Sequence, residues 1–369
     1  MTVAGGGATS RAEGTDELLL DVDDVVKHFP VSGGALDRSH AAVKAVDGVS
    51  FSLRAGETLG LVGESGCGKS TLARLVTALH PVTSGHVRFK GQDITSLNRR
   101  QLRPLRRSMQ MVFQDPYGSL NPRRRVGSIL SDPFSVHEHL SRAEVRRRVQ
   151  ELMARVGLSP EHYNRFPSEF SGGQRQRIGI ARSLALRPSL IVCDEPVSAL
   201  DVSIQAQILN LLEDLQAEFM LTYIFIAHDL SVVRHVSNRI AVMYLGKLVE
   251  TGPTEEIYLS SRHPYTASLL SAVPVADRAF RSERRERIIL TGDVPSPVDP
   301  PSGCRFHPRC PKAQALCAVQ EPVLERKPGD FDGHLTACHF PVVAGEALAN
   351  ASRQTTAVSG SGPAEAVNP

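Results

Sequence analysis

One segment of the sequence has the residue types and the spacing of a phosphate-binding loop. GESGCGKS, residues 63–70, fits the pattern G-x-x-x-x-G-K-[ST] between a segment that predicts a strand and one that predicts a helix. Glycines let backbone N–H groups wrap a phosphate chain, Lys69 can reach the β- and γ-phosphates, and Ser70 can bind Mg²⁺. Cys67, inside the loop, is predicted to be a small packing residue.

Two carboxylates end another apolar segment, LIVCDEP, at residues 190–196. Asp194 would stand at the carboxyl end of a parallel strand beside the phosphate loop, which is a suitable position for a Mg²⁺ ligand. Glu195 is poorly placed as a second ligand but could orient or deprotonate a water molecule. It is therefore our candidate general base.

Gln114 and His228 each end a further predicted strand of the same sheet. Ligands of open α/β sheets gather at the carboxyl edge of the strands, so both side chains should reach the phosphate loop. We therefore predict a Mg²⁺ site at Ser70, Gln114 and Asp194. Glu195 and His228 are the predicted catalytic residues.

The segment EFSGGQRQR, residues 169–177, predicts a second phosphate-binding turn. Ser171, Gly172 and Gly173 stand just before a predicted helix, where a turn of small residues exposes unpaired backbone N–H groups at the positive end of the helix dipole. One chain thus has two turns suited to a phosphate.

Strand and helix segments alternate along the chain around these motifs. ETLGLVG, SLIVCDEP and LTYIFIAHD are typical of buried strands, and KSTLARLVTAL of an amphipathic helix. This alternation predicts an α/β fold with a mostly parallel sheet, interrupted by an arginine-rich helical insert at about 115–187. Pro264 is predicted to open a further short helix.

The composition is that of a globular protein. The chain has 369 residues, 41% of them hydrophobic, which is enough for one large α/β domain and an appended piece. The net charge is only +3, and the clustered arginines fit solvated faces better than a nucleic-acid surface. No apolar run approaches the roughly 18 residues of a membrane span, and the N-terminus lacks a signal-peptide pattern, so we expect an intracellular protein.

Composition also divides the chain into four predicted parts. Residues 1–16 and 341–369 are rich in small and polar residues and are predicted to be disordered tails. Residues 17–262 hold all the phosphate motifs, whereas residues 263–340 turn to proline, arginine and cysteine. We therefore place a domain boundary near residue 262.

Taken in order, the motifs resemble those of the ATP-binding subunit of an ABC transporter, over roughly residues 17–262. The resemblance rests on GESGCGKS, Gln114, SGGQ, LIVCDE, SALD and His228. It implies a P-loop ATPase core with a mostly parallel sheet, an antiparallel β part and a helical insert. It also implies that ATP is contacted by one aromatic ring, by the phosphate loop and by the Q-loop glutamine: Phe29, Gly63, Glu64, Ser65, Gly66, Cys67, Gly68, Lys69, Ser70, Thr71 and Gln114.

The same resemblance implies a function for the second phosphate-binding turn. ATPase domains of this family pair head to tail, so that ATP on the phosphate loop of one is capped by the signature turn of the other. The residues assigned to this pairing are Ser171, Gly172, Gly173 and Gln174 of the signature, and Ser198 and Asp201 of the D-loop. Phe170 stands where the family usually has leucine, which leaves the phosphate-contacting residues intact.

The C-terminal part resembles the extension of ATPase subunits from dipeptide and oligopeptide importers, a branch that also serves nickel and glutathione. HPYTASLLSAVP, GDVPSPVDPPSGCRFHPRCP and ACHF carry this resemblance. Four cysteines there have the spacing C-x5-C-x6-C-x20-C, which differs from that of a zinc ribbon: Cys304, Cys310, Cys317 and Cys338. The resemblance implies a [4Fe–4S] cluster; zinc, with help from His307, His334 or His339, and reduced packing cysteines are the alternatives.

Both resemblances together imply an ATPase docked at the cytoplasmic face of the inner membrane on two permease subunits. It would drive uptake of short peptides delivered by a solute-binding protein, and it would pair with a sister subunit or a copy of itself. A rival from another class is a soluble ABC ATPase acting on DNA or the ribosome, which usually has two cassettes or a long coiled coil. A third interpretation is the catalytically weak, regulatory half of a heterodimer. The presence of Glu195, His228 and SGGQ argues against it.

Overall fold

Two β-sheets organise the structure, a computed structural model that describes residues 17–31, 41–273 and 287–343 together with 345, 346 and 348. The predicted tail at 1–16 and most of the one at 341–369 lie outside the described residues. The strands are β1 Leu18–Pro30, β2 Ala42–Arg54, β3 Thr58–Val62, β4 Ser84–Phe89, β5 Gln92–Asp93, β6 Met109–Val112, β7 Leu190–Asp194, β8 Thr222–Ile226, β9 Arg239–Tyr244, β10 Lys247–Pro253 and β11 Leu335–Thr336.

The larger sheet has the order β11-β10-β9-β3-β8-β7-β6, and its strands from β9 to β6 run parallel. Successive residues of a strand point to opposite faces, so Leu190 and Val192 of β7 enter one core while Ile191 and Cys193 enter the other. Both faces are thus covered, which explains why these strands are apolar throughout. The predicted α/β fold with a mostly parallel sheet is confirmed.

The smaller sheet is antiparallel, with the order β2-β1-β4-β5. Its buried valines and leucines, among them Val22 and Leu53, pack in one core with Leu72 and Leu75 of the helix that follows the phosphate loop. This sheet is the antiparallel β part that the family resemblance implies.

Helices cover the faces of the larger sheet and fill the insert. They are α1 Lys69–Val76, α2 Arg99–Ser108, α3 Pro116–Ser119, α4 Val126–His137, α5 Arg142–Arg155, α6 Gly172–Leu184, α7 Val202–Phe219, α8 Leu230–Val236, α9 Thr254–Ser260, α10 Pro264–Ser271 and α11 Ala315–Val319. None of these described helices combines the length and the apolar character that a membrane crossing requires. The helix opened by Pro264 is confirmed as α10.

The C-terminal extension shares the sheet of the phosphate motifs. Strand β11 pairs antiparallel with β10, with Glu250 opposite Thr336. The Glu250 carboxylate is fully buried and accepts hydrogen bonds from the backbone N–H groups of Arg262 and His263 and lies 2.8 Å from Nε2 of His334. Residues on both sides of the predicted boundary at 262 therefore belong to one packed unit.

Candidate active site

The phosphate loop connects the end of β3 to the start of α1 and lies against two other strands. Gly68 has a φ of 112°, and a Cβ there would overlap the carbonyl oxygen of Ala45 on β2. A Cβ at Gly63 would overlap the carbonyl oxygen of Met243 on β9. Glycine is thus required at both positions, because neighbouring backbone approaches too closely for a side chain.

Lys69, the first residue of α1, is held inside this loop. Its ammonium donates hydrogen bonds to the carbonyl oxygens of Gly63 and Glu64, at 2.7 and 2.9 Å, and the residue is only 5% exposed. Cys67 is buried, and burial raises the pKa of its thiol, as expected of a packing residue. The loop therefore presents backbone groups and one confined positive charge, the features that bind a phosphate chain.

Ser70 and Asp194 meet next to this loop. The Ser70 hydroxyl donates a 2.8 Å hydrogen bond to Oδ1 of Asp194 at the end of β7. Asp194 is 3% exposed, and burial raises the pKa of its carboxyl, although the bond from Ser70 acts in the opposite direction. A hydroxyl and a carboxylate at this separation supply the oxygen ligands that Mg²⁺ prefers.

Glu195, directly after β7, has two polar neighbours. Its Oε2 accepts a 2.8 Å hydrogen bond from Nε2 of Gln114, two residues beyond β6. Nδ1 of His228, two residues beyond β8, lies 3.7 Å from the same oxygen. Glu195 has a φ of 46°, so its backbone turns sharply out of the strand. The sheet edge thus gathers Gln114 and His228 around the carboxylate of Glu195.

The predicted signature turn forms a separate feature at the start of α6. Ser171 caps this helix by accepting a hydrogen bond from the N–H of Gln174, whose side chain accepts one from the N–H of Ser171. Gly173 lies so close to Ile204 of α7 that a Cβ would not fit without displacement. Among the described residues, no hydrogen bond or ion pair joins residues 171–174 to the phosphate loop.

The D-loop residues, Ser198 and Asp201, lie between the sheet edge that carries Glu195 and the signature turn. Ser198 donates a 3.1 Å hydrogen bond to the backbone carbonyl of Glu195, and Asp201 caps α7 with its own carbonyl oxygen. Because Ile204 of α7 packs on Gly173, the segment from 195 to 204 lies between the predicted base and the signature turn.

Phe29 lies apart from these groups, near the end of β1. Its ring makes an edge contact with His80, with 6.1 Å between centroids, and Lys27 Nζ stands 5.0 Å from its centroid. The ring is half-buried. Within the described part of the chain, no hydrogen bond or ring contact ties Phe29 to residues 63–71.

All four extension cysteines line one cavity, with free thiols: Cys304, Cys310, Cys317 and Cys338. Burial raises the pKa of Cys310 to about 12 and that of Cys338 to about 11. His263, His307 and His339 line the same cavity. In residues 17–31, 41–273 and 287–343, no three potential ligands converge as a single metal ion would require.

Two contacts to the phosphate loop were missed by sequence reasoning. The N–H of Glu64 donates a 2.8 Å hydrogen bond to the hydroxyl of Tyr265, and the Glu64 carboxylate accepts one of 2.9 Å from Arg309. Both partners belong to the extension, 201 and 245 residues away in the chain. No local pattern signals such distant contacts.

A glycine-rich loop between strand and helix, with a buried carboxylate and a polar cluster at the carboxyl edge of a parallel sheet, defines a P-loop ATPase. Residues 46–198 match the family model described as ABC transporter, and residues 249–317 match the one described as the C-terminal region of oligopeptide/dipeptide transporters. The chain belongs to the ATP-binding subunits of ABC transporters, in the oligopeptide and dipeptide transporter branch.

Similar proteins span nearly the whole of this architecture. The oligopeptide transport ATP-binding protein AppF of Bacillus subtilis is 56% identical, over 88% of this chain and 98% of that protein. The dipeptide transport ATP-binding protein DppF of Escherichia coli is 50% identical, over 87% and 93%. A dimeric post-hydrolysis structure of the ATP-binding cassette MJ0796 with ADP and Pi matches 64% of this chain and 99% of that one, at 28% identity and a TM-score of 0.58. The chain is therefore an ATPase, and a soluble ATPase acting on DNA or the ribosome is not favoured.

Proposed function

We propose that ATP is hydrolysed at this sheet edge with Glu195 as general base. The observation that carries the proposal is the meeting of Gln114 and His228 at Oε2 of Glu195, 2.8 and 3.7 Å away. A carboxylate held in this way can orient an attacking water molecule and accept its proton. Lys69, confined within the phosphate loop, meets the β- and γ-phosphates.

Mg²⁺ is held by Ser70 and Asp194, with Gln114 as a further ligand. The hydrogen bond between Ser70 and Asp194 supports this assignment, because it brings two hard oxygen donors together beside the loop. Bound Mg²⁺ neutralises the negative charge of the β- and γ-phosphate oxygens. Gln114 would bind the metal through its amide oxygen, which leaves Nε2 to donate its hydrogen bond to Glu195.

The signature turn serves the ATP of a second ATPase subunit. Ser171 and Gln174 form a closed capping box and leave the first N–H groups of α6 for an external anion. The dimeric state of the related cassette MJ0796 also supports the pairing of two ATPase subunits. Phe29 is proposed to stack on adenine; its half-buried ring at the end of β1 is compatible with this role.

In the cell, the chain powers uptake of dipeptides and oligopeptides from the cytoplasmic face of the inner membrane. Its partners are two permease subunits, a second ATPase subunit and, indirectly, a solute-binding protein. The names of the relatives, oligopeptide and dipeptide transport ATP-binding proteins, support this role. Nucleic acid is not an expected partner, because the clustered arginines fit solvated faces better than a nucleic-acid surface.

Reconstitution of the complete transporter tests this role. Liposomes containing the permease subunits, this chain and its second ATPase subunit, with ATP enclosed, should accumulate a labelled dipeptide when the solute-binding protein is supplied outside. The Lys69→Ala transporter is the control and should accumulate none. ATPase activity that responds to DNA or ribosomes, but not to the permease, would overturn the proposal.

A [4Fe–4S] cluster fits the extension cavity by its donor set. Four cysteines line one cavity, and iron–sulfur clusters are held by four thiolates. His263 lines the same cavity and is 1% exposed. Its Nδ1 accepts the N–H of Tyr265, whereas its Nε2 is buried without a partner among the described residues. An Nε2–H group in this position can donate to a cluster sulfur, which would satisfy it.

Anaerobic purification tests the cluster. We expect brown protein with iron and acid-labile sulfide in about a four-to-four ratio. Cys310→Ser should lose the colour and make residues 295–340 more sensitive to proteolysis. Colourless protein with one zinc per chain would favour a zinc cage, and metal-free protein with a protease-resistant extension would leave these cysteines as packing residues.

A further inference from the structure

Among the described residues, both hydrogen bonds that join the C-terminal extension to the phosphate loop involve Glu64. Tyr265 of α10 accepts the Glu64 N–H at 2.8 Å, and Arg309 donates to the Glu64 carboxylate at 2.9 Å. The Arg309 side chain is 10% exposed and that of Glu64 25%, so the ion pair is largely shielded from water. Both sides of Glu64, backbone and side chain, are therefore fixed by the extension.

The same residue also holds the phosphate-binding lysine. Lys69 Nζ donates to the carbonyl oxygen of Glu64 at 2.9 Å and to that of Gly63 at 2.7 Å. The Gly63 carbonyl and the Glu64 N–H belong to one planar peptide group, so a turn of this peptide would move that carbonyl away from Lys69 and change the direction of the N–H. The contact with Tyr265 opposes such a turn, because it would leave a partly buried N–H without its acceptor.

The two extension residues are themselves rigidly placed. Tyr265 is fully buried, with its ring 4.7 Å from that of Tyr244 and 5.3 Å from that of Phe306, measured between centroids. Burial raises the pKa of Tyr265, so its hydroxyl stays neutral. Arg309 lies in a short 3₁₀ turn, His307–Arg309, between Phe306 and Cys310. Packing of the cysteine-bearing turn thus decides where Arg309 points.

We propose that Tyr265 and Arg309 are positioning residues of the ATP site, which hold the phosphate loop in its ATP-binding form. The inference rests on the proposed role of the phosphate loop and assigns part of its geometry to the extension. ATP affinity then depends on residues outside the segment with the nucleotide motifs. Because this effect is on binding, it appears in KM and in the dissociation constant more than in kcat.

Three variants of the full-length chain test the proposal. Tyr265→Phe keeps the ring but removes the acceptor, and Arg309→Met removes the charge, whereas Arg309→Lys keeps it. Arg305→Gln is the matched control, because Arg305 also joins the extension to the core, through Asp47 and the carbonyl of Leu245, but makes no contact with Glu64. The measurements are the dissociation constant of ATP, the KM and kcat of the ATPase, and the melting temperature without nucleotide.

We expect ATP binding to weaken about threefold to tenfold in Tyr265→Phe and about tenfold or more in Arg309→Met, with partial recovery in Arg309→Lys. Arg305→Gln should bind ATP like the wild type. Unchanged affinity in both Tyr265→Phe and Arg309→Met would overturn the proposal, as would an equal loss in Arg305→Gln. If Arg309→Met does not fold, the nearly isosteric Tyr265→Phe decides. Wild-type ATP binding by Lys69→Ala would instead contradict the phosphate-loop assignment itself.

Discussion

Gln114 donates a 2.8 Å hydrogen bond from Nε2 to Oε2 of Glu195, across 81 residues of sequence. The contact exists because β6 and β7 are parallel neighbours, which brings the residues that follow both strands to one edge. Gln114 also begins the segment that leads into the helical insert. A displacement of the insert would therefore change how the candidate base is held.

Replacing Gln114 tests its two proposed tasks. We expect Gln114→Ala to lower kcat about tenfold or more and to raise the Mg²⁺ concentration needed for half-maximal ATPase activity, because a ligand and a hydrogen bond to the base are both lost. Gln110→Ala is the control, because Gln110 lies on β6 and, among the described residues, its side chain is hydrogen-bonded only to the carbonyl oxygen of Arg106. A normal Mg²⁺ dependence in Gln114→Ala would remove Gln114 from the metal site.

Asp194 should reduce the stability of the nucleotide-free chain at neutral pH. Burial raises its pKa above the ordinary 3.8, so the folded chain binds this proton more tightly than the unfolded chain does. The free-energy cost of keeping Asp194 ionised in the folded chain is therefore fully present above the raised pKa. This cost is lost as the pH falls through the raised pKa toward 3.8. Asp194→Asn should melt a few degrees higher than the wild type at pH 8, and the difference should shrink in acid.

Mg²⁺-ATP should reverse the order of the two melting temperatures, so that the wild type melts higher than Asp194→Asn. It should stabilise the wild type by mass action and stabilise Asp194→Asn much less, because the ligand carboxylate is absent. Melting curves with and without Mg²⁺-ATP, at several pH values, give both comparisons. If Asp194→Asn without nucleotide melts lower than the wild type at every pH, the prediction that the buried Asp194 carboxylate destabilises the folded chain is wrong.

A pair of variants tests the shared ATP site. Ser171→Arg should bind ATP as a monomer but should not form a closed dimer, because the arginine obstructs the turn that caps the partner's ATP. Mixing it with Lys69→Ala protein should restore at most one of the two composite sites, measured as dimer formation and ATPase activity. Loss of ATP binding by monomeric Ser171→Arg would place the turn in the wrong site.

The sequence predicted which residues meet at the carboxyl edge of the sheet, because each of them stands in a strong local pattern. Asp194 and Glu195 end a strand that is apolar on both faces, and Lys69 lies between a strand and a helix. Helix α2 was not predicted from the sequence. Asn98 and Gln101 form a capping box at its start, and this pattern is visible in the sequence. The segment RIAVMYLGKLVE, residues 239–250, contains β9 and the start of β10, joined at Leu245 and Gly246, both with positive φ.

The link from the extension to the phosphate loop could not be predicted. Tyr265 and Arg309 reach Glu64 because β11 joins the sheet beside β10 and because Phe306 packs against both Tyr244 and Tyr265. These contacts depend on tertiary packing across more than 200 residues and leave no periodic or motif signal. Composition indicated a domain boundary near residue 262 but no contact across it.

The ATPase turnover of Glu195→Gln in the assembled transporter tests the central claim most directly. The substitution keeps the shape of the side chain and removes its basicity, so kcat should fall at least about a hundredfold while ATP still binds and holds the ATPase dimer closed. Glu151→Gln, on the exposed face of α5, should retain full activity. Near wild-type turnover by Glu195→Gln would contradict the assignment of Glu195 as the general base.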